Sequence, residues 1–201
     1  MSTSFSKTVD YFLSPVSPWT YLGHPRLTAL VTLHKAQVRI KPADIGKVFA
    51  VSGGVPLKQR PMQRQLYRMQ ELKRWRDYLK VPLTLEPKYF PYAADTASHL
   101  IIAADKVAGT AVAMRLAFGF LRGCWAEEKN CADPDTIAAI VQAEGLHMSA
   151  LQARMDEAKA LYETYTQEAI TRNVFGVPTY IIDDRVLWGQ DRLDFVERML
   201  A

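Results

Sequence analysis

In the stretch Ser14-Pro15-Val16-Ser17-Pro18-Trp19, a hydroxyl stands where an apolar, strand-like segment gives way to a helix. Serine there accepts a hydrogen bond from a free amide of the first turn, and Pro18 behind it needs no amide partner. The same helix end carries partial positive charge and can hold an anion. Ser17 is therefore a cap, an anion-binding hydroxyl, or both. A second candidate is Val177-Pro178, directly before a β-prone run, where proline cannot donate to a central ladder. Trans is the ordinary form of an X-Pro bond. A cis bond would turn the N–H and C=O of Val177 outward, ready to pair with a peptide-like ligand. The third candidate is Gly189-Gln190-Asp191-Arg192, between the last strand and the last helix. Asp191 either caps that helix or accepts a hydrogen bond from a ligand ammonium.

Other chemistries find little support. Cys124 and Cys131 fall in no CxxC or metal-ligand spacing and read as structural thiols. His24, His34, His99 and His147 are scattered, with no carboxylate or thiol in an interpretable pattern, so no metal is expected. Gly53-Gly54 matches neither a P-loop nor a dinucleotide fingerprint. With 25 basic and 21 acidic residues the net charge is +4, which gives no argument for nucleic acid and suits a small anion. No apolar run approaches the roughly 20 residues of a membrane helix. The opening MSTSFSKTVDYF lacks the apolar core and cleavage site of a signal peptide. The expectation is a cytoplasmic protein whose partners include neither nucleic acid nor membrane.

These candidates must be positioned by regular elements, and the hydrophobic pattern supplies them. Residues 8–14 are β-prone, and from Ser17 the residues Trp19, Leu22, Leu27, Leu30 and Val31 recur at helical spacing, with Pro25 as a candidate kink. QVRIKPAD at 37–44 predicts a second strand, parallel to the first. KVFAVSGGVPLKQRP reads as a loop. From Arg64 to Leu79, the residues Leu66, Met69, Leu72, Trp75 and Leu79 mark an apolar stripe. Arg68, Lys73, Arg74, Arg76 and Lys80 then read as a solvated basic face. Residues 81–92 are proline-rich and extended; 93–171 are helical almost throughout, with Asp135 and Ser149 as caps and Gly109 and Gly145 as stops. VPTYIIDDRVLWG predicts two short strands around Asp183-Asp184, and 191–200 a closing helix.

The order βαβ, helices, ββα is that of an α/β thioredoxin-like domain with a large all-helical insertion. The expected division is 1–60 with 173–201 for the thioredoxin-like part and 61–172 for the insertion. The helical phase from Trp19 and the facing Val177-Pro178 select Ser17 over Ser14.

FLSPVSPWTYL, ELKRWRDYLKVPL and VFGVPTYIIDDRVLWGQDRL together resemble the 2-hydroxychromene-2-carboxylate isomerases, within the DsbA-like, kappa-class glutathione transferase group. Where DsbA-like oxidoreductases carry CxxC, this chain has Ser17-Pro18-Trp19-Thr20, so dithiol redox chemistry at that slot is excluded. The resemblance implies a glutathione-dependent isomerase of aromatic degradation, with glutathione as cofactor and Ser17 as the catalytic group that bonds its sulfur. It implies that Val177, beside a cis Pro178, pairs with the cysteinyl part of glutathione, and that Trp188, Gly189, Gln190 and Asp191 hold the γ-glutamyl end. It further implies a small anionic aromatic substrate and a homodimer. Lys47 and Arg64, beside Lys58 and Arg60, are candidate cations for the substrate carboxylate, and Tyr89 and Phe90 fall beside the substrate position. The chain departs from the family at Gly54, where many members have Asn, and at Phe90, which cannot supply an amide. A kappa-like transferase or peroxidase would use the same site, whereas a non-catalytic binding module would use Ser17 only as a cap.

Overall fold

The computed structural model describes residues 7–201. In chain order the elements are β1 (Thr8–Leu13), α1 (Pro18–Leu33), β2 (Gln37–Pro42), α2 (Ile45–Ser52), α3 (Met62–Leu79), α4 (Asp95–Ala108), α5 (Thr110–Trp125), α6 (Pro134–Ala143), α7 (Met148–Gln152), α8 (Met155–Thr171), β3 (Thr179–Ile182), β4 (Arg185–Trp188) and α9 (Leu193–Leu200). Short 3-10 turns lie at Leu57–Gln59 and Gln190–Arg192. The described strands form one sheet in the order β2-β1-β3-β4. β1 and β2 are parallel, from Thr8 beside Gln37 to Leu13 beside Pro42; the other pairs are antiparallel. This is the expected thioredoxin-like arrangement with its helical insertion between β2 and β3.

Strand alternation sorts β1 onto the two sheet faces. Val9, Tyr11 and Leu13 join Tyr180 and Ile182 in the main core, against α1 and the inserted helices α4 and α5. Phe12 and Ile181 face the other way, with Val48 of α2 and Ala169 of α8. On that second side Asp10 is 2% exposed and ion-paired: Arg39 reaches it at 2.6 Å, Arg172 at 2.6 Å and Lys41 at 2.9 Å. Burial pushes the Asp10 carboxyl up, and its bonds to Lys41 and Arg172 outweigh that and leave it below its ordinary value.

Helix α1 runs unbroken through Pro25. Its Gly23 allows close approach to the sheet, since a Cβ there would lie 2.9 Å from both the Tyr180 hydroxyl and Gln190 Cβ. Beside it, His24 is buried and doubly bonded: Nε2–H donates to the Met114 carbonyl at 2.9 Å, so Nδ1 accepts from the Tyr11 hydroxyl at 3.1 Å. Burial holds its pKa down at about 4, against the helping bond to Met114, so it is a neutral core residue.

Several local expectations are corrected. The first half of the Gly-containing loop is α2: Asp44 caps it by accepting from Gly46 N at 2.8 Å, and Gly53 ends it at φ 74°. The cap of α6 is Asp133, not Asp135, because Pro134 takes the first helical position and the Asp133 carboxylate accepts from Thr136 N at 2.9 Å. Ser149 lies inside α7, with His147 at the cap position. The expected stripe of α3 is only partly buried, for Leu72 is enclosed while Leu66 is exposed. The closing helix begins at Leu193, after a 3-10 turn that contains Asp191. Gly109 and the Asp183-Asp184 turn stand as expected, the latter with both residues at positive φ, 48° and 60°, as a two-residue hairpin requires.

Candidate active site

The sheet register brings three loops to one end. Phe12 pairs with Thr179 and Thr179 with Trp188, so the chain leaving β1, entering β3 and leaving β4 converges there. The exit from β1 is pinned from outside: the Tyr92 hydroxyl donates to the Pro15 carbonyl at 2.9 Å, and Trp125 Nε1–H donates to the Val16 carbonyl at 3.2 Å. Ser17 N bonds back to the Ser14 carbonyl at 3.1 Å. Half-buried Ser17 is thereby fixed as the N-cap of α1, at φ −81° and ψ 126°.

Its cap bond is long. Thr20 N reaches Ser17 Oγ at 3.3 Å, against 2.9 Å for the matching bond of the Asp133 cap and 3.2 Å for that of Asp44, whose closer bond, at 2.8 Å, comes from Gly46 N. The Ser17 oxygen accepts in that bond, and its O–H donates to no acceptor among the described residues. A donor hydroxyl at a helix N-terminus, with amides of the same turn around it, suits an anion such as a thiolate.

At the same end of the sheet, the Val177-Pro178 bond is cis. Neither the amide nor the carbonyl of Val177 takes part in a hydrogen bond among the described residues. The loop is otherwise held: Thr179 Oγ1 donates to the Gly176 carbonyl at 2.7 Å, and Gly189 N to the Pro178 carbonyl at 2.9 Å. Val177 thus presents a free donor and acceptor pair from a fixed backbone, the edge that a peptide can extend.

Around the third loop, Gly189 has φ 104°, a conformation that favours glycine. Trp188 is half exposed and packs on Phe175, with ring centroids 4.8 Å apart. Asp191 is exposed and bonds Arg192 at 2.9 Å. Gln190 is buried, and its side-chain oxygen accepts from Arg26 of α1 at 2.7 Å while its carbonyl accepts at 3.1 Å. That side chain fastens the loop to α1.

The four substrate-side candidates are dispersed by comparison. Lys47 is exposed on α2 and paired with Glu163 of α8 at 2.6 Å. Arg64 is exposed in the first turn of α3. Tyr89 is exposed with Lys88 over its ring, whereas Phe90 packs against Trp125 at a centroid distance of 4.7 Å. Phe49 lies against Gly54, filling with carbon the space a side chain there would take.

Sequence reasoning missed Arg68, Tyr92 and Trp125. Arg68 is not on a solvated face: it is half-buried, with its guanidinium over Phe90 at 5.6 Å and over Trp125 at 5.9 Å. A signal for this existed in the spacing, since Arg68 stands four residues before buried Leu72 and seven before Trp75. Cys124 and Cys131 are buried free thiols, which burial pushes up to about 12 and about 11. Among the described residues no cluster of three or more His, Cys, Asp or Glu could hold a metal ion, and no helix is long and apolar enough to cross a membrane.

Known proteins resemble this chain along most of its length. The chain is 28% identical over 198 residues to a 2-hydroxychromene-2-carboxylate isomerase of Sphingobium xenophagum, covering 97% of this chain and 98% of the relative. It is 20% identical over 207 residues to glutathione S-transferase kappa 1 of Homo sapiens, covering 97% and 91%. The solved structure of a 2-hydroxychromene-2-carboxylate isomerase superposes with a TM-score of 0.75 at 28% identity, over 95% of this chain and 93% of the other. The family model described as a DSBA-like thioredoxin domain matches residues 8–201, and the chain belongs to that family.

Proposed function

We propose that the chain is a glutathione-dependent isomerase that interconverts 2-hydroxychromene-2-carboxylate and 2-hydroxybenzylidenepyruvate, or a related aromatic acid. The observation that carries the reading is the placement, at one end of the sheet, of a Ser17 hydroxyl that donates to no acceptor and a Val177 backbone whose amide and carbonyl are unused among the described residues. Both fit a cysteinyl peptide whose sulfur points at the α1 N-terminus. The isomerases and the kappa transferase among the relatives add support from a different direction.

Glutathione, when bound, supplies a thiolate that adds reversibly to a conjugated double bond, allows rotation, and leaves unchanged. Ser17 donates its O–H to the sulfur and so favours the ionised form, with the first-turn amides of α1 reinforcing it. Val177 receives the cysteinyl backbone. Asp191 accepts from the γ-glutamyl ammonium beside its bond to Arg192; Gly189 and Gln190, whose own bonds to Pro178, Arg192 and Arg26 fix the loop, hold Asp191 in place, and Trp188 covers the strand side. Tyr89 and Phe90 border the aromatic substrate. Lys47 and Arg64 supply positive charge, Lys47 only by leaving Glu163. The functional unit in this reading is a cytoplasmic homodimer, which light scattering tests.

An absorbance assay of the chromene with and without glutathione tests the proposal, and conversion only with glutathione is expected. A kappa-like transferase would use the same residues, as the human relative suggests. It would consume free thiol with turnover, whereas the isomerase conserves it.

A further inference from the structure

Arg60, Arg64 and Arg68 follow one another at four-residue intervals, the last two on α3. Among the described residues none of them has a carboxylate partner, whereas Arg39, Arg115, Arg122 and Arg172 each do. The Arg60 Nε–H is used by the Val55 carbonyl at 2.7 Å, and Arg68 reaches only the Met69 sulfur, at 3.7 Å. The three are close enough to repel: the charge of Arg64 acts on Arg60, and that of Arg60 on Arg68. Burial first, and then Arg60, brings Arg68 down to about 10. Two half-buried guanidiniums, Arg60 and Arg68, beside exposed Arg64 and without acids are unfavourable alone, and an anion would relieve both the desolvation and the repulsion.

The surroundings specify the anion. Arg68 lies on the faces of Phe90 and Trp125, and Trp125 is bonded through Nε1 to the carbonyl immediately before Ser17. Helix α3 also packs on α1. The guanidinium therefore stands among the inserted helices, one side chain away from the loop that ends in Ser17. A planar fork beside aromatic carbon matches a carboxylate carried on a flat apolar body.

We propose that Arg68, with Arg60 and Arg64 supplying the surrounding positive field, binds the carboxylate of an aromatic acid substrate. This deepens the isomerase reading and rests on it for the word substrate; the binding itself does not depend on glutathione. Lys47 and Arg64 become secondary to Arg68 in that role. A bidentate bond from the fork fixes the acid's orientation, so Lys at this position, a point charge, does not replace it.

The test is calorimetric titration of salicylate into the protein, with and without saturating S-methylglutathione, for the wild type, Arg68→Lys and Arg68→Gln. Phenol serves as the uncharged control. Expected is a salicylate affinity lower by about tenfold or more in Arg68→Gln and lower by a smaller factor in Arg68→Lys. Phenol binding and S-methylglutathione affinity stay the same, and the thermal midpoint of Arg68→Lys stays within a degree or so of wild type. Unchanged salicylate affinity in both variants overturns the proposal, as does a loss of S-methylglutathione affinity, which would assign Arg68 to the glycyl carboxylate of glutathione. A fall in thermal midpoint with salicylate binding intact would make the ring contacts purely structural and overturn it too. If S-methylglutathione fails to bind the wild type while salicylate still depends on Arg68, the isomerase reading fails and the carboxylate site stands.

Discussion

Replacing Ser17 by Ala separates its cap from its chemistry, and the two differ in size and in pH dependence. The cap bond is 3.3 Å long, so its loss belongs at the low end of the range for caps, about 0.5–1 kcal/mol. A hydrogen bond to a charged sulfur is worth more, about 1.5–3 kcal/mol. At 1.36 kcal/mol per pKa unit, losing it raises the bound thiol of glutathione by about one to two units. At neutral pH the thiolate fraction then falls about 10- to 100-fold. The more basic thiolate is also the better nucleophile, with a Brønsted slope of about 0.4–0.5, which recovers part of the loss. The net expectation is a chemical rate roughly 3- to 16-fold lower near pH 7, reversing above the shifted pKa, where both thiols are ionised and the more basic thiolate of the variant reacts roughly 2.5- to 10-fold faster. Thiolate absorbance of the glutathione complex gives the pKa, and single-turnover rates across pH give the profile. A rate loss of equal size at every pH, or an unmoved thiol pKa, refutes the thiolate role and leaves Ser17 as a cap.

Three other outcomes check the physical account. His24 is neutral in the fold with a pKa near 4, against 6.5 when unfolded. Its contribution is complete above pH 6.5 and is lost as pH falls toward 4, by about 3 kcal/mol for a shift of this size; His24→Gln, compared with wild type by thermal melting at pH 7 and pH 5, should flatten that slope. Cys124 and Cys131, buried and pushed up to about 12 and about 11, should resist a disulfide reagent in the folded protein and react only on unfolding, as a timed thiol assay would show. Asp10→Asn leaves buried Lys41 with Glu168 as its remaining acid, at 2.6 Å. Denaturant titration should show a loss of about 3–5 kcal/mol, the range for breaking a buried pair, with the bound thiol pKa unchanged.

The legible parts of this molecule were those decided by neighbours in sequence. Ser17-Pro18 is a cap because the next turn is helical, and Asp183-Asp184 is a hairpin because two strands meet there. Pro178 stood out because a proline before a central strand needs a special geometry. Helix α2 was obscured by weighing Gly53-Gly54 above the Asp44 cap that begins it, although the glycine only ends the helix. Arg68 was hidden for another reason. Its environment is made by Phe90 and Trp125, which the fold brings from distant parts of the inserted segment, and a basic residue on an amphipathic helix carries no mark of that. The same holds for the Tyr92 and Trp125 bonds that pin the loop before Ser17. Gln190, read as a ligand-holding residue, has its side chain committed to Arg26, a contact between chain segments far apart in sequence.

The central claim is that this site uses glutathione as a catalyst and returns it. The direct measurement follows the absorbance of 2-hydroxychromene-2-carboxylate with limiting glutathione while free thiol is counted in parallel. The account predicts no conversion without glutathione, many turnovers per glutathione with it, and a constant thiol count. Thiol disappearing in step with substrate, or no conversion by a protein that binds glutathione, would contradict it.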